Sequence, residues 1–170
     1  MPAPRIFGLW LMALVPLLIA VDNAPVQRTQ EARVVETARQ MVGRGAHAWL
    51  IPSINGEIRL RKPPLAYWMA AASFKLFGVS EGTARLPNIL LCWLLIGATY
   101  SIAARLFDQL TGLFAAAALL SSYMFFRYSR LAETDMPAAF FATVATELFW
   151  RALDTESMGL FHAAAVATGL

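Results

Sequence analysis

Glu57-Ile-Arg-Leu-Arg-Lys-Pro-Pro-Leu-Ala-Tyr-Trp68 packs three cations, Arg59, Arg61 and Lys62, into four positions directly ahead of a Pro-Pro pair. An apolar, aromatic run follows at once and reaches Phe77. Pro63-Pro64 suits the first turn of a helix, where a missing N–H costs little, so a helix is predicted from the prolines to Gly78. About thirteen to sixteen residues at ~1.5 Å each reach roughly 20–24 Å, short of the ~30 Å hydrocarbon core of a bilayer. Lys75 also lies inside the run. The segment therefore reads as an interfacial or half-inserted helix, and that reading decides which charges share a side. Cations set against a hydrophobic edge suit a ligand with an anionic head and an apolar tail, such as a lipid-linked phosphate.

The whole chain agrees with a membrane setting. Its 170 residues are 58% hydrophobic and only 15% charged, with a mean hydropathy of +0.55. A soluble domain is typically about 45–50% apolar. The net charge of +3 would fit nucleic acid or an anionic lipid surface equally well. Most basic residues lie between or beside apolar runs, which argues against nucleic acid as the partner. Cys92 is the single cysteine, so no internal disulfide or CxxC site exists. His47 and His162 stand alone, without metal-ligand spacing, and read as structural.

Working outward, the fold class is an all-α membrane protein. About four transmembrane helices are expected at 6–21, 86–104, 113–126 and 136–150, with a partial fifth at 159–170. Residues 6–21 follow a basic start. They read as an uncleaved span in preference to a signal peptide, because the run is somewhat long for one and 20–24 makes a poor cleavage site. Residues 22–79 form a loop with interfacial helices. Within it, 31–42 carries Val34, Val35, Ala38, Met41 and Val42 on one face and ends at Gly43. Residues 49–54 read as extended, and Asn55-Gly56 as a tight turn that sends Arg59 and Arg61 to one side. Ser80-Glu81 resembles a helix start. The twelve residues from Gly159 are too short to cross a bilayer. They read as a buried stub or as the mark of a fragment, and the fragment reading is preferred.

If 64–78 does not cross, the 22–62 loop and the charged turn at 127–135 lie on one side. Arg105, Asp108, Arg151 and Asp154 lie on the other. The 22–62 loop carries seven of the fourteen basic residues, which by the positive-inside rule would place it in the cytoplasm.

An ordered set of motifs carries a resemblance. It runs Gln30-Glu-Ala-Arg33, Glu36-Thr-Ala-Arg-Gln-Met41, Asn55-Gly-Glu57, Lys62-Pro-Pro-Leu-Ala-Tyr-Trp68, Ala84-Arg-Leu-Pro87 and Arg130-Leu-Ala-Glu-Thr-Asp-Met-Pro137. From about residue 28 onward the chain resembles the N-terminal part of GT-C membrane glycosyltransferases of the protein-O-mannosyltransferase and lipid A aminoarabinose-transferase type. The resemblance implies a multi-pass protein of a bacterial inner membrane. It implies hexosyl or pentosyl transfer from a polyprenyl-phosphate sugar to a lipid or protein acceptor on the extracytoplasmic face. It thereby also sets the orientation, against the charge rule. Such proteins are several times longer, so this fragment alone is expected to be inactive. Two positions depart from the family pattern: Gln30 stands where a catalytic Asp is usual, and Arg61 where a Glu is frequent.

Such a transfer needs a carboxylate to activate the acceptor, positive donors for the leaving phosphate, and an apolar groove for the tail. The expected catalytic carboxylates are Asp135 and Glu31. The expected donor-phosphate ligands are Lys62, Arg33, Arg61 and Arg130, with Tyr67 and Trp68 along the groove. Asp135 could instead cap the helix that begins near Met136. The displacement is metal-optional, a divalent cation being the one cofactor the reading admits. The alternative is a catalytically degenerate paralogue that binds lipid phosphates without transfer.

Overall fold

The computed structural model describes residues 3–19, 21–22, 25–44, 46–59 and 62–169. In chain order these form α1 (Ala3–Met12), α2 (Leu14–Leu18), α3 (Thr29–Gly43), α4 (Ala46–Leu50), a hairpin of β1 (Ser53–Ile54) and β2 (Glu57–Ile58), α5 (Leu65–Phe77), α6 (Glu81–Leu106), α7 (Gln109–Ser121), α8 (Tyr123–Ser129), α9 (Asp135–Thr155) and α10 (Met158–Thr168). The fold is all-α apart from the two-residue strands.

α6 is the spine. It packs against α2, α5, α7 and α9, and its 26 residues span about 39 Å. Among the described residues it is the one helix long and apolar enough to cross a bilayer by itself; α7 and α8 qualify only as a pair. Ser80 starts α6 with a capping box, its Oγ accepting from Thr83 N–H while Thr83 Oγ1 accepts from Ser80 N–H. Pro87 then sits inside the helix, where its ring removes the bond to the Thr83 carbonyl. Ser73 of α5 donates to that carbonyl instead, at 2.6 Å. α6 thus keeps its proline because a neighbouring helix supplies the lost hydrogen bond.

Two apolar cores flank the N-terminal part of α6. In one, Val34, Ala38 and Met41 of α3 pack on Tyr67, Ala70, Ala71 and Phe74 of α5. The narrow stripe of α3, expected to face the interface, is covered by α5. In the other, Leu17 meets Ile89, Cys92, Leu95 and Phe125. Trp10 and Trp93 stack at 3.8 Å there, and each indole N–H donates to the other's backbone carbonyl. Gly97 leaves the room for this, since a Cβ there would meet Trp10 Nε1 at 2.8 Å.

Four local expectations are corrected. The 6–21 run breaks between α1 and α2, because Pro16 cannot bond the Met12 carbonyl four residues back. Of the 49–54 segment expected to be extended, Trp49 and Leu50 instead end α4, while Ser53–Ile54 forms β1; the Trp49 carbonyl accepts from Trp68 Nε1 at 2.7 Å, and Lys75 sits 4.9 Å over the Trp49 ring. The 113–126 run bends by 67° at Ser122, whose extended backbone ends α7 and starts α8. The charged turn shortens, because α8 runs on through Arg127 to Ser129. The Asn55-Gly56 turn is present, both residues having positive φ, 52° and 88°.

Candidate functional site

The polar centre lies where the segment before α3, the start of α5, the start of α6 and the α8–α9 turn converge. Glu31 and Arg85 form its buried floor. Their side chains are 1% and 2% exposed, with Nε to Oε1 at 2.7 Å. Arg85 also donates to Glu31 Oε2 and to the Val21 carbonyl, and Glu31 Oε1 accepts from Ala132 N–H. Asn88, one turn further along α6, donates to the carbonyls of Leu131 and Glu133 at 2.6 and 2.8 Å. The α8–α9 turn is therefore held by the first loop and by α6 together.

Above this floor, Arg28 Nε lies 2.6 Å from Glu133 Oε1, and its guanidinium sits 5.0 Å over the Tyr128 ring. The Tyr128 hydroxyl and the Glu133 carboxylate raise the Arg28 pKa above its ordinary value. Lys62 Nζ donates to Thr134 Oγ1 at 2.7 Å and lies 3.5 Å from Asp135 Oδ1. Arg59 Nε reaches the Tyr67 hydroxyl at 3.3 Å. Gln30, Val34, Arg59, Lys62, Tyr67, Glu133, Thr134 and Asp135 line a narrow cleft of about 20 Å³, room for roughly one water. It adjoins a groove of about 330 Å³ that shares Lys62, Thr134 and Asp135. The groove's remaining wall is Pro63, Leu65, Ala66, Pro137 and Ala138. A cation at the junction of a polar recess and an apolar trough can take an anionic head whose tail runs along the trough.

The expected site residues separate. Lys62 and Asp135 come together at the mouth of the groove. Asp135 opens α9, but the helix is not capped by a side chain, and Thr134 holds the cap position. Glu31 is enclosed, with both oxygens bound, and does not line the groove mouth with Lys62 and Asp135. Arg33 is exposed on α3 and does not line the cleft. Glu36, three residues on, is bound by Arg39 and Gln40, and the Arg39 guanidinium leads in holding that carboxyl down at about 2. Arg130 donates to the Ile19 carbonyl and stacks over Phe126, so it ties the end of α8 to the N-terminal segment. Arg61 lies outside the described residues. Tyr67 is buried and reaches the cleft through its hydroxyl. Trp68 is part-exposed and bonded to Trp49.

Sequence reasoning passed over Arg28, Arg85 and Glu133 as site residues. Arg85 and Glu133 lie inside quoted motifs, so the strings were visible, but their partners are 54 and 105 positions away. At the far end of α6 and α9 a second polar cluster joins Ser101, Glu147 and Arg151, and Arg105 pairs with Asp154 at 3.0 Å.

The chain is helical and of membrane-like hydropathy, and it carries a cation between a polar recess and an apolar groove. The dolichyl-phosphate-mannose-protein mannosyltransferase family profile matches residues 61–170, and the chain belongs to that family. Its fold is that of the N-terminal part of a GT-C glycosyltransferase. An uncharacterized protein of Aquifex aeolicus (strain VF5) is 31% identical over 166 residues, 95% of this chain and 33% of the relative. The undecaprenyl phosphate-alpha-4-amino-4-deoxy-L-arabinose arabinosyl transferase 2 of Sodalis glossinidius is 27% identical over 149 residues, 86% of this chain and 27% of the relative. The crystal structure of ArnT from Cupriavidus metallidurans bound to undecaprenyl phosphate superposes with a TM-score of 0.84 at 25% identity, over 98% of this chain and 31% of that one. The chain thus spans about a third of the length of these proteins.

Proposed function

We propose that this chain is the donor-binding part of a multi-pass inner-membrane glycosyltransferase. It would move a sugar from a polyprenyl phosphate to a lipid or protein acceptor on the extracytoplasmic face. The observation that carries the reading is the Lys62 ammonium, held by Thr134 and Asp135 where the polar cleft meets the apolar groove. The prenyl chain takes the groove, and Lys62, with Arg59 beside it, takes the phosphate. Once Lys62 turns to the phosphate, Asp135 loses its cation, keeps the contact from the Thr134 hydroxyl, and accepts the proton of the acceptor hydroxyl. The acceptor oxygen bonds to the anomeric carbon as the bond from that carbon to the phosphate oxygen breaks. The electron pair leaves with polyprenyl phosphate, whose added negative charge the two cations stabilise. Glu31 and Arg85 hold the floor and take no part in bond making.

Binding tests the reading most simply. The chain in lipid nanodiscs is expected to bind undecaprenyl phosphate well ahead of undecaprenol. Lys62→Ala removes a charge-assisted contact of about 1.5–3 kcal/mol, so roughly ten- to a hundredfold in affinity goes with it. Equal binding of phosphate and alcohol, or an indifferent Lys62→Ala, contradicts the reading.

One observation favours a second reading. Gln30 lines the cleft beside Asp135 and Glu133, and an amide is no proton acceptor. On that reading the protein holds lipid phosphates without transferring sugar. In the complete protein, Gln30→Asp raises transfer if the amide limits an active enzyme. Intact phosphate binding with no transfer from either form supports the non-transferring reading.

A further inference from the structure

One side of α5 is fixed to the rest of the fold, and the other is not. Ser73 donates to the Thr83 carbonyl at 2.6 Å, which ties α5 to the first turns of α6. Lys75 follows two residues later, about 200° round the helix and about 3 Å along it, so it leaves on the side away from α6. Trp68, two turns earlier, shares that outer side. α4 covers part of it. Trp68 Nε1 donates to the Trp49 carbonyl at 2.7 Å, and the Lys75 ammonium sits 4.9 Å over the Trp49 ring. Among the described residues the ammonium has no carboxylate partner. Large apolar side chains stand in the open beside it: Leu50 and Leu76 are each 76% exposed, and Phe77 is 64% exposed. α4 and the end of α5 thus make a lip, with an aliphatic rim and a cation backed by an aromatic ring.

The height of the lip follows from α6. The Arg105–Asp154 pair marks the far edge of the bilayer, where α6 ends and α9 nears its own end. About twenty residues back from Arg105, at ~1.5 Å each, cover the ~30 Å hydrocarbon core and reach Arg85. Thr83 is then about 3 Å beyond the hydrocarbon edge, and Ser73 is bonded to it. Lys75 therefore lies in the headgroup layer, which is about 5–7 Å deep on each face. Water at that face would leave the rim as an open apolar patch. A headgroup layer takes the rim and the ammonium together, the aliphatics at the acyl boundary and the charge among the phosphates. Charge then selects among lipids. An anionic phosphate gains an ion pair with the free ammonium, whereas a zwitterionic headgroup already carries its own cation.

We infer that α4 and the C-terminal end of α5 dip into the leaflet on the cleft side, and that Lys75, seated on Trp49, binds the phosphate of an anionic phospholipid. This site is separate from the donor groove, because Lys62 lies beyond the opposite end of α5, whose 13 residues span about 20 Å. It takes nothing from the donor-phosphate reading.

A depth-sensitive label tests it. Leu76→Cys, with Cys92 buried, carries a nitrobenzoxadiazole group. The labelled chain is placed in phosphatidylcholine nanodiscs that contain a small fraction of 5-doxyl phosphatidylcholine or of 5-doxyl phosphatidylglycerol. Both spin-labelled lipids are expected to quench the label. Phosphatidylglycerol is expected to do so at about fivefold lower mole fraction, the preference one surface lysine confers. Lys75→Gln keeps most of the side-chain stem. It is expected to bring the two lipids level while leaving quenching by phosphatidylcholine unchanged. Equimolar undecaprenyl phosphate is expected to leave the preference in place. Quenching by aqueous iodide alone, equal quenching by both lipids in the parent, or a preference that survives Lys75→Gln overturns the inference. So does loss of the preference to equimolar undecaprenyl phosphate, which would trace it to the donor groove. Equal binding of undecaprenyl phosphate and undecaprenol would end the donor-phosphate reading and leave this one standing.

Discussion

At the scale of single residues, burial divides the charged groups into two kinds. Glu31 and Arg85 are enclosed and mutually satisfied, while Lys62 and Asp135 remain 41% and 61% exposed at the groove mouth. The first pair holds the floor and the second is open to a ligand. Removing one member of a buried pair leaves an uncompensated charge, which costs about 3–5 kcal/mol, whereas replacing both by apolar groups costs far less. Arg85→Ala is therefore expected to lower thermal stability in detergent sharply, and the double change of Glu31 and Arg85 to Met to recover most of it. Equal melting of Arg85→Ala and the parent would contradict the structural assignment. Sequence could not make this division. Glu31 and Asp135 look alike as carboxylates near helix starts, and only a partner 54 residues away shows that Glu31 is spoken for.

At the scale of elements, periodicity and turn chemistry were legible. The expected helices at 31–42 and 64–78 are observed as α3 and α5, and Asn55-Gly56 makes its turn. The breaks were less so. Pro16 carries a visible signal against an unbroken helix, but the bend at Ser122 does not, because neither serine there is a strong breaker. Pro87 shows the converse. A proline inside an apolar run argues for a helix end, yet α6 continues, since Ser73 from α5 supplies the Thr83 carbonyl with a donor. Ser73→Ala leaves that carbonyl unpartnered in a buried interface. It is expected to destabilise the α5–α6 pair by about 1–3 kcal/mol, read as earlier unfolding or faster amide exchange at the start of α6. Unchanged exchange there would contradict the compensation.

At the scale of the whole molecule, the sequence argued that the first loop and the 127–135 turn share a side because 64–78 is too short to cross. In the fold these two regions touch directly, through Arg28 and Glu133, Glu31 and Ala132, and Lys62 with Thr134 and Asp135. The Arg105–Asp154 pair closes the other ends of α6 and α9. The account depends on that convergence occurring at one bilayer surface. Single cysteines placed at Lys62, Asp135 and Asp108, with Cys92 buried and silent, and probed with a membrane-impermeant thiol reagent in intact and inverted membranes, test it most directly. Positions 62 and 135 are expected to react from the same side and position 108 from the opposite one; reaction of 62 and 135 from opposite sides would contradict the account.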